Sequence, residues 1–270
     1  MKNTAPHSTP VTTQTLAQQK AKGEKITMLT AYDATLAHWI SEAGVDIILV
    51  GDSLGMVIQG HTSTIPVSVA DVAYHVKAVA RGCRGPLILA DAPFMSCSNS
   101  ERALHTAQTL MQAGANMIKI EGSARLCPLV TQLSEEGIPV CGHLGLRPQS
   151  INQIGAYRVH GRHNTEAETL MADVEALVKA GIRLLVLECV PASLAARVAA
   201  ACAVPVIGIG AGVDVDGQVL VLHDMLGLTP KPPRFSRNFL IDVPDIPAAL
   251  TAFRDAVKSK QFPDTEHQLS

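Results

Sequence analysis

Eight short apolar runs alternate with longer amphipathic stretches along the chain, and this alternation constrains the fold more than any other feature. The runs are Ile26 to Thr30, Val45 to Val50, Pro86 to Ala90, Ala115 to Ile120, Ile138 to His143, Ile182 to Leu187, Val204 to Ile209 and Gln218 to His223. They are too short for helices. They are rich in Val, Ile and Leu without strict alternation, as strands buried on both faces of a parallel sheet are. Helical patterns lie between them at Ala34 to Glu42, Val69 to Arg81, Ser100 to Gln112, Ala124 to Glu136, Glu166 to Lys179, Ser193 to Ala201 and Ile246 to Lys258. Four junctions place a glycine between helix and strand: Gly44, Gly114, Gly137 and Gly181. A glycine there takes the left-handed conformation that turns the chain into the next strand. Repeated β-α units with short turns demand right-handed crossovers and a parallel sheet. Eight strands with no second domain favour a closed (β/α)8 barrel, a TIM barrel. An open doubly wound sheet is the alternative, weakened by the lack of G-x-G-x-x-G after the first strand.

Composition agrees. Of the 270 residues 47% are hydrophobic and 17% charged, enough for a large core. Aromatics are 3%, so Val, Ile, Leu and Ala must build it. A net charge of -2 argues against a general nucleic-acid partner, which needs a basic surplus. Six cysteines at 83, 97, 127, 141, 189 and 202 form no C-x-x-C pair and read as reduced thiols of a cytoplasmic protein. No stretch is long and apolar enough for a membrane helix, and the first residues carry no apolar signal-peptide segment. The expected organisation is a polar N-terminal tail and leading segment over 1–22, a barrel over 23–260 and a polar C-terminal tail over 261–270, both ends frayed.

In either parallel architecture the site lies at the C-terminal ends of the strands. Asp52 and Ser53 follow the second run, Asp91 the third, Glu121 the fourth and Glu188 the sixth, while His143 ends the fifth. Four acids from four strands thus converge on one rim. Clustered like charges raise each other's pKa at a cost, which a divalent cation relieves. Oxygen-only ligands suit a hard ion, Mg2+ first. Lys119 lies two residues before Glu121 on one strand, so both side chains point the same way, Lys119 one layer deeper.

Each residue has a plainer reading. Asp52 and Asp91 suit helix caps, Lys119 suits a structural partner of Glu121, and His143 suits a supporting hydrogen-bonded role. The glycine-rich turn from Gly208 to Gly212 either cradles a phosphate or makes a tight βα turn. His160 and His163 lie on a polar loop and take no role. Cys189 has no basic neighbour in sequence to lower its pKa and reads as inert. Capping does not explain acids at four strand ends with a lysine in phase with one of them.

At these residues the sequence resembles the ketopantoate hydroxymethyltransferase family. The matching stretches are MLTAYDATLA, AGVDIILVGDSLGMVIQGHTSTIPV, LILADAPFMS, GANMIKIEGS, GIPVCGHLGLRPQSINQIGAYRVHGR, LVLECVPASLA, PVIGIGAG and DGQVLVLHDMLGL, in order from about Met28 to Leu228. The resemblance implies a (β/α)8 barrel that moves a hydroxymethyl group from 5,10-methylenetetrahydrofolate to 3-methyl-2-oxobutanoate through a Mg2+-stabilised enolate. The product would be 2-dehydropantoate, in pantothenate biosynthesis. A homo-oligomer, typically a decamer, is also implied. Carried over by motif, Asp52 and Asp91 would bind Mg2+, and Glu121 would complete the metal site directly or through a water. Asp52, Ser53, Asp91, Lys119 and His143 would contact the substrate, and Glu188 would accept its proton. Ser123 stands where a second glycine is expected after Glu121. Three rival chemistries remain: a Schiff-base aldolase using Lys119, a folate-independent lyase or mutase on a related 2-oxo acid, and a non-catalytic binding barrel. The connector Lys231-Pro-Pro-Arg234-Phe-Ser-Arg237 is a candidate for a folate polyglutamyl tail by charge alone, though its composition reads first as a surface linker.

Overall fold

Strand residues whose side chains alternate between two apolar surroundings need both faces covered, and the chain does this by closing its sheet. A computed structural model describes residues 9–156 and 158–269. Eight parallel strands, β1 (Ile26–Thr30), β2 (Ile47–Val50), β3 (Leu87–Asp91), β4 (Met117–Glu121), β5 (Val140–Gly145), β6 (Leu184–Glu188), β7 (Val206–Ile209) and β8 (Gly217–Leu220), form a closed barrel in chain order. β1 pairs with both β2 and β8, which completes the ring. The fold is a single (β/α)8 TIM barrel.

The helices are α1 (Thr13–Ala21), α2 (Ala34–Glu42), α3 (Leu54–Val57), α4 (Val69–Gly82), α5 (Ser100–Ala113), α6 (Cys127–Glu135), α7 (Ile151–Ile154), α8 (Asn164–Ala180), α9 (Ala192–Ala201), α10 (Leu222–Met225) and α11 (Ile246–Lys258). Gly44, Gly114, Gly137 and Gly181 have φ of 74°, 118°, 79° and 108°. All four junctions therefore use the left-handed region that costs a Cβ-bearing residue most.

Period-2 alternation divides the core. Ile47, Leu49, Leu87, Leu89, Met117, Cys141, Leu184, Val186, Ile207 and Val219 pack inside the barrel. Ile48, Val50, Ile88, Ala90, Ile118, Ile120, Leu185 and Leu187 pack outward with the helices. Continuing the inward rows towards the strand C-termini gives Asp91 on β3, Lys119 and Glu121 on β4, His143 on β5 and Glu188 on β6. Polar chemistry thus begins where the apolar layers stop.

Three features differ from the sequence expectations. Several runs begin earlier than their strands, because leading residues such as Val45, Ala115 and Ile182 are buried without joining the strands. The last run stops pairing at Leu220. Leu222 donates its N–H to Thr30 Oγ1 at 2.9 Å, and the chain turns into α10, so His223 lies on a helix.

Neither end is frayed over its described part. α1 has a capping box at Thr12 and Thr15. Val11 and Leu16 are buried against the inner core. The Val11 N–H reaches Gly85 O at 2.7 Å, Lys20 pairs with Asp216, and Gln19 donates to Asp46 at 2.8 Å. Gly85, Asp216 and Asp46 all precede strands, so α1 lies across the N-terminal end of the barrel as a stopper. Polar composition hid this, because one leucine carries the burial. At the other end Phe262 is 2% exposed and stacks edge-on with Phe239 and Phe253. Among the described residues no helix is long and apolar enough to cross a membrane.

Candidate active site

The C-terminal ends of the strands open into a cavity of about 470 Å³. Its lining includes all seven residues singled out in the sequence: Asp52, Ser53, Asp91, Lys119, Glu121, His143 and Glu188.

Asp52 and Asp91 do not cap helices. Asp91 Oδ2 accepts the backbone N–H of Asp52 at 2.9 Å, which ties the end of β3 to the loop after β2. Asp52 Oδ2 accepts from Gln149 Nε2 at 2.8 Å. Ser53 shares a hydrogen bond of 2.8 Å with the Tyr32 hydroxyl from beyond β1. Lys119 Nζ lies 2.9 Å from Asp91 Oδ1 and 3.3 Å from His143 Nδ1. His143 spans two acids, with Nδ1 3.3 Å from Glu121 Oε1 and Nε2 3.2 Å from Glu188 Oε2. Glu121 Oε2 accepts the Gln149 N–H at 3.1 Å. Six of the seven therefore join one connected network through Gln149, and Ser53 is held beside it by Tyr32.

Its electrostatics follow from burial. Asp52 is pushed well above the usual carboxylate range by desolvation and then by the neighbouring charges of Asp91 and Glu121. Burial works against the charge on Lys119, but Asp91, Glu121 and Asp52 outweigh it and hold the ammonium more firmly protonated than usual. Burial and Lys119 both oppose charge on His143, yet its bonds to Glu121 and Glu188 raise it to about 9. Burial opposes the charge on Glu121, but His143, Lys119 and the Gln149 N–H prevail and lower its pKa. Four acidic side chains thus share the inner cavity with Lys119 and His143.

The residues fit a hard divalent cation. Asp91 Oδ1 and Glu121 Oε1 are buried and lack a well-directed hydrogen bond, and a further positive charge would relieve the cost that Asp52 bears. Among the described residues no three His, Cys, Asp or Glu side chains already stand together as a metal cage. Their oxygens are turned to Lys119, His143 and Gln149. Mg2+ commonly takes only one or two carboxylates and keeps several waters, so the acids suit it.

Local backbone supports the site. Gly145 ends β5 with φ of 90°, and a Cβ there would collide with the carbonyl oxygen of Glu188. Cys189, next to Glu188, has φ of 50°, strained for a residue with a side chain. Burial first, then Glu188, raises the Cys189 thiol pKa, in keeping with the inert reading. Ser123 takes φ of −94°, ordinary for any residue, so its departure from glycine distorts nothing.

Other residues at the site carried no singled-out signal. Gln149 is uncharged and lies beyond the end of β5 on a short 3-10 turn (Pro148–Ser150). Tyr32 follows β1, whose end held no acid to draw notice. Asp224 on α10 and Thr229 line the far wall. The connector is not a free surface linker: Lys231, Pro233 and Phe235 line the same cavity. Phe235 packs against the inner core, a placement that proline-rich composition conceals. His160 donates its backbone N–H to Cys189 O at 2.8 Å and lines a separate cavity of about 400 Å³.

A parallel barrel whose C-terminal mouth gathers acids, a lysine and a histidine from successive strands defines the class: a (β/α)8-barrel enzyme with a polar site built from strand ends. The sequence pattern of ketopantoate hydroxymethyltransferases matches residues 10–265, and the chain belongs to that family. It is similar to 3-methyl-2-oxobutanoate hydroxymethyltransferase 2 of Pseudomonas fluorescens, at 56% identity over 262 residues, covering 96% of this chain and 98% of that one. Among solved structures it resembles phosphonopyruvate hydrolase in complex with oxalate and Mg2+, with a TM-score of 0.61 and 12% identity over 80% of this chain and 82% of that one. It also resembles 2,3-dimethylmalate lyase, a PEP mutase/isocitrate lyase superfamily member, with a TM-score of 0.57 and 15% identity over 92% and 96%. At such identities the two structures speak for the fold. The family makes this chain a hydroxymethyltransferase.

Proposed function

We propose that the enzyme moves the one-carbon unit of 5,10-methylenetetrahydrofolate onto 3-methyl-2-oxobutanoate, giving 2-dehydropantoate for pantothenate synthesis. In the balanced reaction the C–H bond next to the keto group breaks and a C–C bond forms to the donor methylene. Both C–N bonds of that methylene break; one water supplies the new hydroxyl and one proton to the departing tetrahydrofolate, and the second proton is the one taken from the substrate carbon. Asp52 and Asp91 would hold Mg2+, with Glu121 completing the site directly or through a water. When bound, the ion supplies positive charge at the keto oxygen as negative charge develops there. Ser53 and Lys119 hold the keto acid, Lys119 by its charge near the carboxylate. His143 lies beside it and fixes Glu188 from Nε2. Glu188 takes the proton.

The observation that carries this reading is the position of Glu188. It stands in the same cavity as the Asp52–Asp91–Lys119 cluster but on β6, away from Asp91 and Lys119 on β3 and β4. A base so placed, tied to His143 and two strands from Lys119, can meet the substrate carbon while Lys119 meets the carboxylate, as positioned proton transfer requires. The Schiff-base alternative is disfavoured because Lys119 is ion-paired with Asp91, whereas a nucleophilic lysine must shed its proton.

Glu188→Gln is expected to keep keto-acid binding and lose proton exchange at the substrate carbon by roughly 10²–10⁴-fold, the usual worth of a general base. NMR in D2O follows that exchange, and an unchanged rate removes Glu188 from the role. Turnover should stop in EDTA, return with Mg2+ and leave no borohydride-trapped adduct. A cytoplasmic setting is supported by six free cysteines. A homo-oligomer, with a decamer as the expected size, is supported by exposed apolar side chains such as Tyr74, Phe94, Met95 and Ile241. Light scattering measures its mass.

A further inference from the structure

The cavity has two unlike halves. In the closed ring β8 lies across from β4, which carries Lys119 and Glu121. The charged groups come from the strand ends of β2 to β6. On the β7–β8 side the wall is Ile209, Val219, Val221 and Phe235, and its polar members are Asp224, Thr229 and Lys231. Asp224 is 7% exposed. Its Oδ1 accepts from Thr229 Oγ1 at 2.5 Å, which fixes its rotation, while its other oxygen has no partner among the described residues. That second oxygen is not among the fully buried unpartnered atoms, so it opens to the cavity, where a ligand N–H can reach it. Lys231 lines the same wall, is exposed at the rim, and has no ion-pair partner among the described residues.

A five-carbon keto acid held by Lys119 and Ser53 leaves much of about 470 Å³ unfilled. The donor must bring its methylene within bonding reach of the same substrate, so it has to enter this cavity. A reduced pterin has an apolar face and, on one edge, a ring N–H beside an amino group. That is the donor pattern a fixed carboxyl accepts. Its glutamyl tail carries carboxylates.

We propose that the β7–β8 half of the cavity is the folate subsite. Asp224 accepts from the N–H edge of the pterin, Phe235 and its apolar neighbours cover the ring, and Lys231 meets the glutamyl carboxylates. This assignment rests on the folate-dependent reaction proposed above.

Steady-state kinetics on the full-length enzyme test it, with both substrates varied and melting temperatures compared. Asp224→Asn replaces an acceptor by a donor. It is expected to raise the KM for methylenetetrahydrofolate tenfold or more while the KM for the keto acid stays within twofold. Lys231→Ala is expected to raise KM for a triglutamyl donor at least threefold and for the monoglutamyl donor by less than twofold. Should Asp224→Asn fail to fold, Phe235→Ala gives the second reading, again with the loss confined to the donor. A donor KM within twofold of wild type in the folded Asp224 or Phe235 variant overturns the subsite, as does an equal rise for both substrates. If the wild-type enzyme forms product without any folate, the reaction itself is wrong and the subsite falls with it.

Discussion

Gln149 carries no charge, yet it holds the site together across three strand ends. Its side chain donates to Asp52 and to Ala92 O at 3.0 Å, and its backbone N–H donates to Glu121. A hydrogen bond to a charged group is worth about 1.5–3 kcal/mol. Gln149→Ala should therefore lower kcat/KM by roughly 10–100-fold with little change in melting temperature. A loss under threefold would show that the acids hold their positions unaided. The contrast with Asp91 or Glu121 explains what was legible. An acid at the end of an inward row is conspicuous, because every residue below it in that row is apolar or, like Lys119, its counter-charge. A glutamine on a loop has no such background. Its role depends on where the loop folds back, and no local pattern encodes that.

At the scale of elements, Asp46 joins three pieces that are distant in sequence. It accepts from Thr27 at the start of β1, from Gln19 on α1 and from Lys258 on α11 at 2.7 Å. Burial alone would raise its pKa, but Lys258, Thr27 and Gln19 prevail and lower it. A carboxyl with a depressed folded pKa stabilises the fold at neutral pH, and the contribution fades as pH falls through that folded value. Asp46→Asn should cost roughly 2 kcal/mol at pH 7, less than a fully buried pair because Lys258 is 32% exposed. The gap between wild type and variant should narrow as pH drops below the usual carboxylate range near 4. Urea unfolding at several pH values measures it, and a gap independent of pH would mean that packing, not charge, anchors these elements. The helices flanking the strands were readable from their spacing and from the glycine after each of four. The stopper α1 was not, since Leu16 is a single apolar residue among polar ones and only the closed barrel gives it somewhere to go. Phe262 was hidden in the same way, its partners Phe239 and Phe253 lying on other segments.

For the whole molecule, closure of the barrel followed from counting strands and from buried runs that lack alternation. The position of the site followed from the fold class, but the extent of the cavity did not. The connector from Lys231 to Arg237 reads as surface chain until β8 gives way to α10 and the following residues swing over the mouth.

The stopper has a kinetic corollary. With the inner apolar layers packed beneath the site and Leu16 closing the far end, the cavity is a flask with one neck. Whatever sits at its base goes in before the reactant that follows and comes out after it. Under the proposed reaction the keto acid is loaded first, the folate second, and spent tetrahydrofolate departs before 2-dehydropantoate. Product-inhibition patterns should show this queue, with tetrahydrofolate unable to compete against the keto acid, and random traffic would mean a second way in.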